Sequence, residues 1–187
     1  MGPLGIWEPP LDPPRYLDAT NEPWALVTLS SQAQDDGPLA QAAVEALASR
    51  PFPTVMTLGP AHGPEELRSV PGHVRTERFV SHAAILERGR LLVSHAGHGS
   101  VMKALWFGCP MVLVPWGRDQ PGVAARAEAL GVARVVPRDS VSADALGSAI
   151  DEVLADELTR TRARQHGERL RATDPAGHAA SLVEALL

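Results

Sequence analysis

Three short segments of this 187-residue sequence concentrate side chains that could hold a charged, hydroxyl-rich ligand. The first is Ser94-His95-Ala96-Gly97-His98-Gly99-Ser100, set between an apolar run and a helical pattern. Gly97 and Gly99 let the backbone approach an anion, Ser100 adds a hydroxyl donor, and His95 and His98 can donate from a ring nitrogen. At a helix start these groups join unpaired N–H donors and a partial positive charge, which suits a phosphate. Glycine-rich turns also serve purely structural ends, so this segment alone leaves both roles open. It is neither a P-loop nor a dinucleotide fingerprint, because Gly-Lys-Ser/Thr and G-x-G-x-x-G are absent. The second segment is Pro115-Trp116-Gly117-Arg118-Asp119-Gln120-Pro121, where Asp119 and Gln120 suit sugar hydroxyls or, equally, a helix cap. Trp116 is close enough to touch such a sugar, and packing is its other role. The third, Phe79-Val80-Ser81-His82, offers an aromatic face beside a turn, which fits a nucleobase or a place in a core.

These segments must be positioned by the elements around them. Apolar, β-leaning runs predict strands over 24–29, 54–58, 73–77, 91–94, 111–114 and 132–136, and helical patterns fall over 38–49, 83–87, 100–107 and 121–130. Short apolar strands alternating with helices predict the α/β class, a single Rossmann-like doubly wound parallel sheet with helices on both faces. All three segments follow a strand and precede a helix, so they open on one sheet edge. The last third reads as helices over 143–154, 157–172 and 175–187, with Ser142 and Asp174 as N-caps and Gly131 as a left-handed cap. The arginines of the middle helix read as a solvated face. Residues 1–23 hold six of the 17 prolines and form an arm or linker. Ile6, Trp7, Leu11, Tyr16 and Leu17 make this arm apolar enough to pack back on the domain, 24–187.

Composition narrows the class. With 17 Lys+Arg against 22 Asp+Glu the net charge is −5, and no basic stripe marks a nucleic-acid partner. One cysteine, Cys109, forms no internal disulfide, which fits a reducing cytoplasm. No apolar run reaches the roughly 20 residues of a membrane span. His95, His98, Cys109 and Asp119 lack the spacing of a metal site.

Taken together in this order, the three segments resemble the donor-binding half of the two-domain, GT-B glycosyltransferases, the family of natural-product and plant UDP-sugar enzymes. The resemblance runs from about Trp24 to Leu187. It implies that His95, Gly97, His98, Gly99 and Ser100 hold the donor diphosphate. The base and ribose would fall to Phe79, Ser81, His82 and the position of Lys103, and the sugar to Trp116, Asp119 and Gln120. Plant members carry a tryptophan in place of Phe79 and Pro-Gln in place of Ser81-His82. Where many members place a ribose-binding glutamate, eight residues after the motif histidine, this chain has Lys103, which cannot accept from a hydroxyl. That change favours a deoxyribose donor, dTDP over UDP.

The resemblance implies inverting, metal-independent transfer from a nucleotide-sugar to an acceptor hydroxyl, with no cofactor. The general base and acceptor pocket would lie on an N-terminal domain that this sequence lacks, so the chain is expected to bind nucleotide and to transfer nothing alone. The alternatives are a donor subunit of a two-chain transferase, completed by a partner, and a non-catalytic nucleotide-binding module.

Overall fold

The computed structural model describes Glu8 and residues 11–32 and 34–186. Six strands, β1 (Trp24–Thr28), β2 (Thr54–Thr57), β3 (Val74–Glu77), β4 (Gly89–Ser94), β5 (Met111–Leu113) and β6 (Ala133–Val135), form one sheet. Every pairing is parallel and the order is β3-β2-β1-β4-β5-β6, so the doubly wound class read from the sequence is the one observed. Helices α1 (Gly37–Leu47), α2 (His82–Leu86), α3 (His98–Phe107), α4 (Gln120–Ala129), α5 (Ala143–Ala155), α6 (Glu157–Arg171) and α7 (Pro175–Glu184) surround or follow the sheet.

The strands read as continuous apolar runs because both sheet faces are covered. Ala25, Val27, Leu91, Val93, Val112 and Val114 pack under Leu39 and Leu47 of α1 and Leu146 and Ile150 of α5. The alternate residues Leu26, Leu92, Met111 and Leu113 face Ile85 of α2, Val101 and Ala104 of α3, and Ala163 of α6. The expected caps are present: Ser142 Oγ accepts from Ala145 N at 3.1 Å, Asp174 Oδ1 from Gly177 N at 2.9 Å, and Gly131 has φ +66°. In the arm, Leu17 enters the core and Tyr16 packs on Trp24 at 5.7 Å between ring centroids, whereas Leu11 is exposed. Ile6 and Trp7 lie outside the described residues. Helix α7 has no buried residue and presents Leu182 and Val183 to solvent.

Candidate functional site

Between β1 and β4 the chain reverses its direction of travel across the sheet, since β2 and β3 lie to one side and β5 and β6 to the other. Open α/β sheets bind ligands at such a switch point, outside the carboxyl ends of the strands. The last residues of the two strands, Thr28 and Ser94, are register partners, and His95 follows immediately. A cleft of about 360 Å³ opens here, floored by His95 and Gly97 and bordered by Ser30 and Gln32 after β1 and by Lys103 and Asp119 beyond.

His95 is 7% exposed, and its Nδ1 lies 3.5 Å from Thr28 O, the orientation that turns Nε2 toward the start of α3. A Cβ on Gly97 would sit 2.5 Å from that Nε2, so only glycine lets the ring occupy its place. Burial pushes the His95 pKa below the ordinary imidazole value, outweighing the Thr28 contact that raises it. Gly97 is the N-cap of α3, which places His98, Gly99 and Ser100 in its first turn, two residues earlier than the pattern predicts. Ala96, wholly buried, has φ +65°, and Arg118 across the cleft has φ +59°. Both are sparsely populated conformations for residues other than glycine, and both loops open on the same cleft.

Of the residues singled out in the sequence, His82, His95, Gly97, His98, Gly99, Ser100, Lys103, Asp119 and Gln120 line this one cleft. Phe79, Ser81 and Trp116 are not among its lining residues. Phe79 is 61% exposed, hence no core residue, and stands free at the turn before α2. Ser81 caps α2, accepting from Ala84 N at 3.1 Å. Trp116 packs on the α1–α5 side of the sheet with the Arg138 guanidinium 5.0 Å above its ring. Asp119 and Gln120 have separate roles. The Asp119 carboxylate makes no cap hydrogen bond and is exposed. Gln120 is buried, and its Oε1 accepts from Trp116 N at 2.7 Å and Gly117 N at 3.1 Å while Nε2 donates to Gln34 Oε1 at 2.8 Å. Gln120 thus holds the β5–α4 turn and ties it to the loop after β1. His82 Nε2 lies 3.1 Å from Thr57 Oγ1, and burial together with the Lys103 charge pushes its pKa down to about 4. It is therefore neutral at physiological pH.

The loop after β1 escaped the sequence reading except as a strand end, although Ser30 and Ser31 lie directly beyond a buried strand. Asp36, 1% exposed, shapes it: Oδ2 accepts from Ser30 N at 2.8 Å and from Gln34 Nε2 at 3.2 Å. Asp36 Oδ1 meets His62 Nε2 at 3.1 Å, and His62 Nδ1 meets Glu66 Oε2 at 3.0 Å. Burial lowers the His62 pKa, but hydrogen bonds to Glu66 and Asp36 together with their charges raise it above its ordinary value. The stability this contributes is present below the unfolded imidazole value and is lost as pH rises through the higher folded value. The urea midpoint of the wild-type chain is therefore expected to fall as pH is raised above about 6.5, and His62→Gln to flatten that decline. An unchanged profile in the variant would remove His62 as its cause.

Among the described residues no group of three or more His, Cys, Asp or Glu side chains could hold a metal ion. Burial pushes the Cys109 thiol far up, so it is an inert packing group. No helix among the described residues is long and apolar enough to cross a membrane.

Residues 53–185 match the family described as erythromycin biosynthesis protein CIII-like, C-terminal domain. The chain belongs to that family. The chain is 31% identical over 191 residues to 4'-demethylrebeccamycin synthase of Lentzea aerocolonigenes, a match covering 100% of this chain and 44% of that relative. Among solved structures, the glycotransferase of kitacinnamycin superposes with a TM-score of 0.80 at 32% identity, over 98% of this chain and 46% of the other. The glycosyltransferase VinC, in complex with dTDP, gives 0.79 at 25% identity, over 94% and 44%. The sheet and its helices are those of the C-terminal, donor-binding half of GT-B glycosyltransferases. The chain spans less than half the length of these relatives.

Proposed function

We propose that this chain binds the nucleoside diphosphate of a nucleotide-sugar, dTDP- or UDP-linked, as the donor half of an inverting, metal-independent glycosyltransferase acting on a hydroxyl of a small natural-product acceptor. The observation that carries this reading is the convergence of His95, the first turn of α3 and the β1 loop on one cleft at the switch point of the sheet. The name of VinC, with its bound dTDP, supports the choice of ligand class. Diphosphate oxygens fit against the N–H groups of Gly99 and Ser100, the Ser100 hydroxyl and His95 Nε2. In the transfer step the acceptor oxygen attacks the anomeric carbon from the face opposite the diphosphate. The bond from that carbon to the diphosphate breaks, and its electron pair leaves on the phosphate oxygen. Helix N–H donors and His95 stabilise that charge where a metal would otherwise be needed. The acceptor proton goes to a base outside this chain, so the chain alone transfers nothing.

Calorimetric titration with dTDP, UDP and GDP, with EDTA and then with magnesium, tests this. Saturable binding of one diphosphate, equal within about twofold in the two buffers, is the expected result. Absence of binding by all three at millimolar concentration, or binding only with magnesium, would overturn it.

A further inference from the structure

At the end of the cleft lined by His82 and Lys103, hydrogen-bond donors from two helices converge on a single group, the carboxylate of Glu8. Lys103 Nζ of α3 lies 2.6 Å from Glu8 Oε1, and Ser81 Oγ donates to Oε2 at 2.8 Å. The Ala83 N–H stands 3.2 Å from both oxygens. Glu8 thus comes from the arm, 95 positions before its ion-pair partner, to the rim of the cleft. Burial pushes its pKa up, but hydrogen bonds from Lys103 and Ser81 and the Lys103 charge hold it below the ordinary carboxylate value. The group is therefore ionised and accepts only. A carboxylate has about four lone-pair sites, and among the described residues three donors reach it, with the Ala83 N–H shared between the two oxygens, so a further donor can be accommodated. The Glu8 side chain is 12% exposed, so that site is reachable.

A nucleoside lying between the α3 diphosphate site and the turn before α2 would bring its ribose past Lys103 and His82. Ribose hydroxyls donate, and Lys103, ion-paired and without lone pairs, cannot receive them. Asp119 comes from the β5–α4 loop on the other flank of α3 and is suited to the transferred sugar. We propose that Glu8, anchored on Lys103, Ser81 and Ala83, is the acceptor for a ribose hydroxyl of the donor nucleotide. Lys103 is then a positioning residue, and the clamp is assembled from a carboxylate on the arm and a cation on α3. The assignment rests on the donor-binding reading above, and it predicts a preference for a nucleotide that carries a ribose hydroxyl over one that carries none, where Lys103 viewed alone offers no acceptor.

The test is calorimetric titration of the intact chain with UDP and with 2′,3′-dideoxy-UDP, on wild type, Glu8→Gln and Glu8→Ala. A hydrogen bond to an ionised group corresponds to roughly a 10- to 100-fold difference in affinity. Wild type should prefer UDP by that factor, Glu8→Gln by much less, and Glu8→Ala not at all. Variants that keep the wild-type preference, or that bind both probes more tightly because the carboxylate obstructs the site, would overturn the assignment while leaving the donor-binding reading intact. Where wild type binds dTDP and neither UDP probe, dTDP against 2′,3′-dideoxythymidine diphosphate makes the same comparison; failure to bind UDP, dTDP or GDP would remove both readings.

Discussion

His95→Ala is expected to weaken dTDP or UDP binding by roughly 10- to 100-fold. The ring directly follows β4 at the switch point, and its Nε2 faces the N-terminus of α3, where the diphosphate charge would sit. Burial favours the neutral ring in the free protein. A diphosphate against Nε2 favours the imidazolium, with Nδ1–H kept on Thr28 O, so binding takes up a proton between the depressed free value and the raised bound value. Affinity should then fall as pH rises through that window, by up to one decade per pH unit, and level off above it. His95→Ala should lose both the affinity and this His95-linked slope. A cooperative melt of the variant separates lost binding from lost folding. Binding within twofold of wild type, or a persistent slope, would remove His95 from the phosphate site.

The central strands were legible because burial on both faces leaves no polar alternation to misread: Leu91, Leu92 and Val93 are wholly buried, as are Met111, Val112 and Leu113. The N-terminus of α3 was misplaced by two residues because Gly97-His98-Gly99 contains no strong helix former. The turn is set instead by Ala96 in a left-handed conformation, its N–H held by Ser94 Oγ at 3.0 Å. Of the two roles the sequence allows Trp116, a sugar contact and packing, the fold shows packing: it continues the period-two face of Val112 and Val114, which points away from α3. That much was available from strand geometry. Other features were beyond local reasoning. Gln120 turns inward to meet Gln34, 86 positions away, and Glu8 meets Lys103 across 95. Pairings of that separation follow from the closed fold and leave no periodicity or spacing behind.

Gly167→Ala separates local propensity from packing, because the two predict opposite signs. Gly167 lies inside α6, where alanine is favoured over glycine by about 1 kcal/mol. Propensity alone therefore predicts a more stable protein. A Cβ at this position, however, would lie 2.8 Å from Leu105 O, 2.9 Å from Gly108 N and 2.9 Å from Trp106 O. All three are backbone atoms at the carboxyl end of α3, and they cannot move aside as a side-chain tip would. The contact is closed from the other direction as well: Gly108, at φ +68°, would bring a Cβ within 2.9 Å of Arg164 Cα. Ala163, wholly buried one turn before Gly167, completes a seam of small residues that lets the two helices touch. Overpacking of this kind costs typically about 1–3 kcal/mol, so the net expectation is a melting temperature lower by several degrees, with Gly167→Val worse. A melting temperature at or above wild type for Gly167→Ala would mean that α6 can shift without penalty. The seam matters for the site because α3 is the helix whose first turn faces the diphosphate, and α6 pins its other end about 15 Å away. If α6 is what aims α3, Gly167→Ala should weaken diphosphate binding even at temperatures where the variant is fully folded, while leaving the His95-dependent pH slope in place.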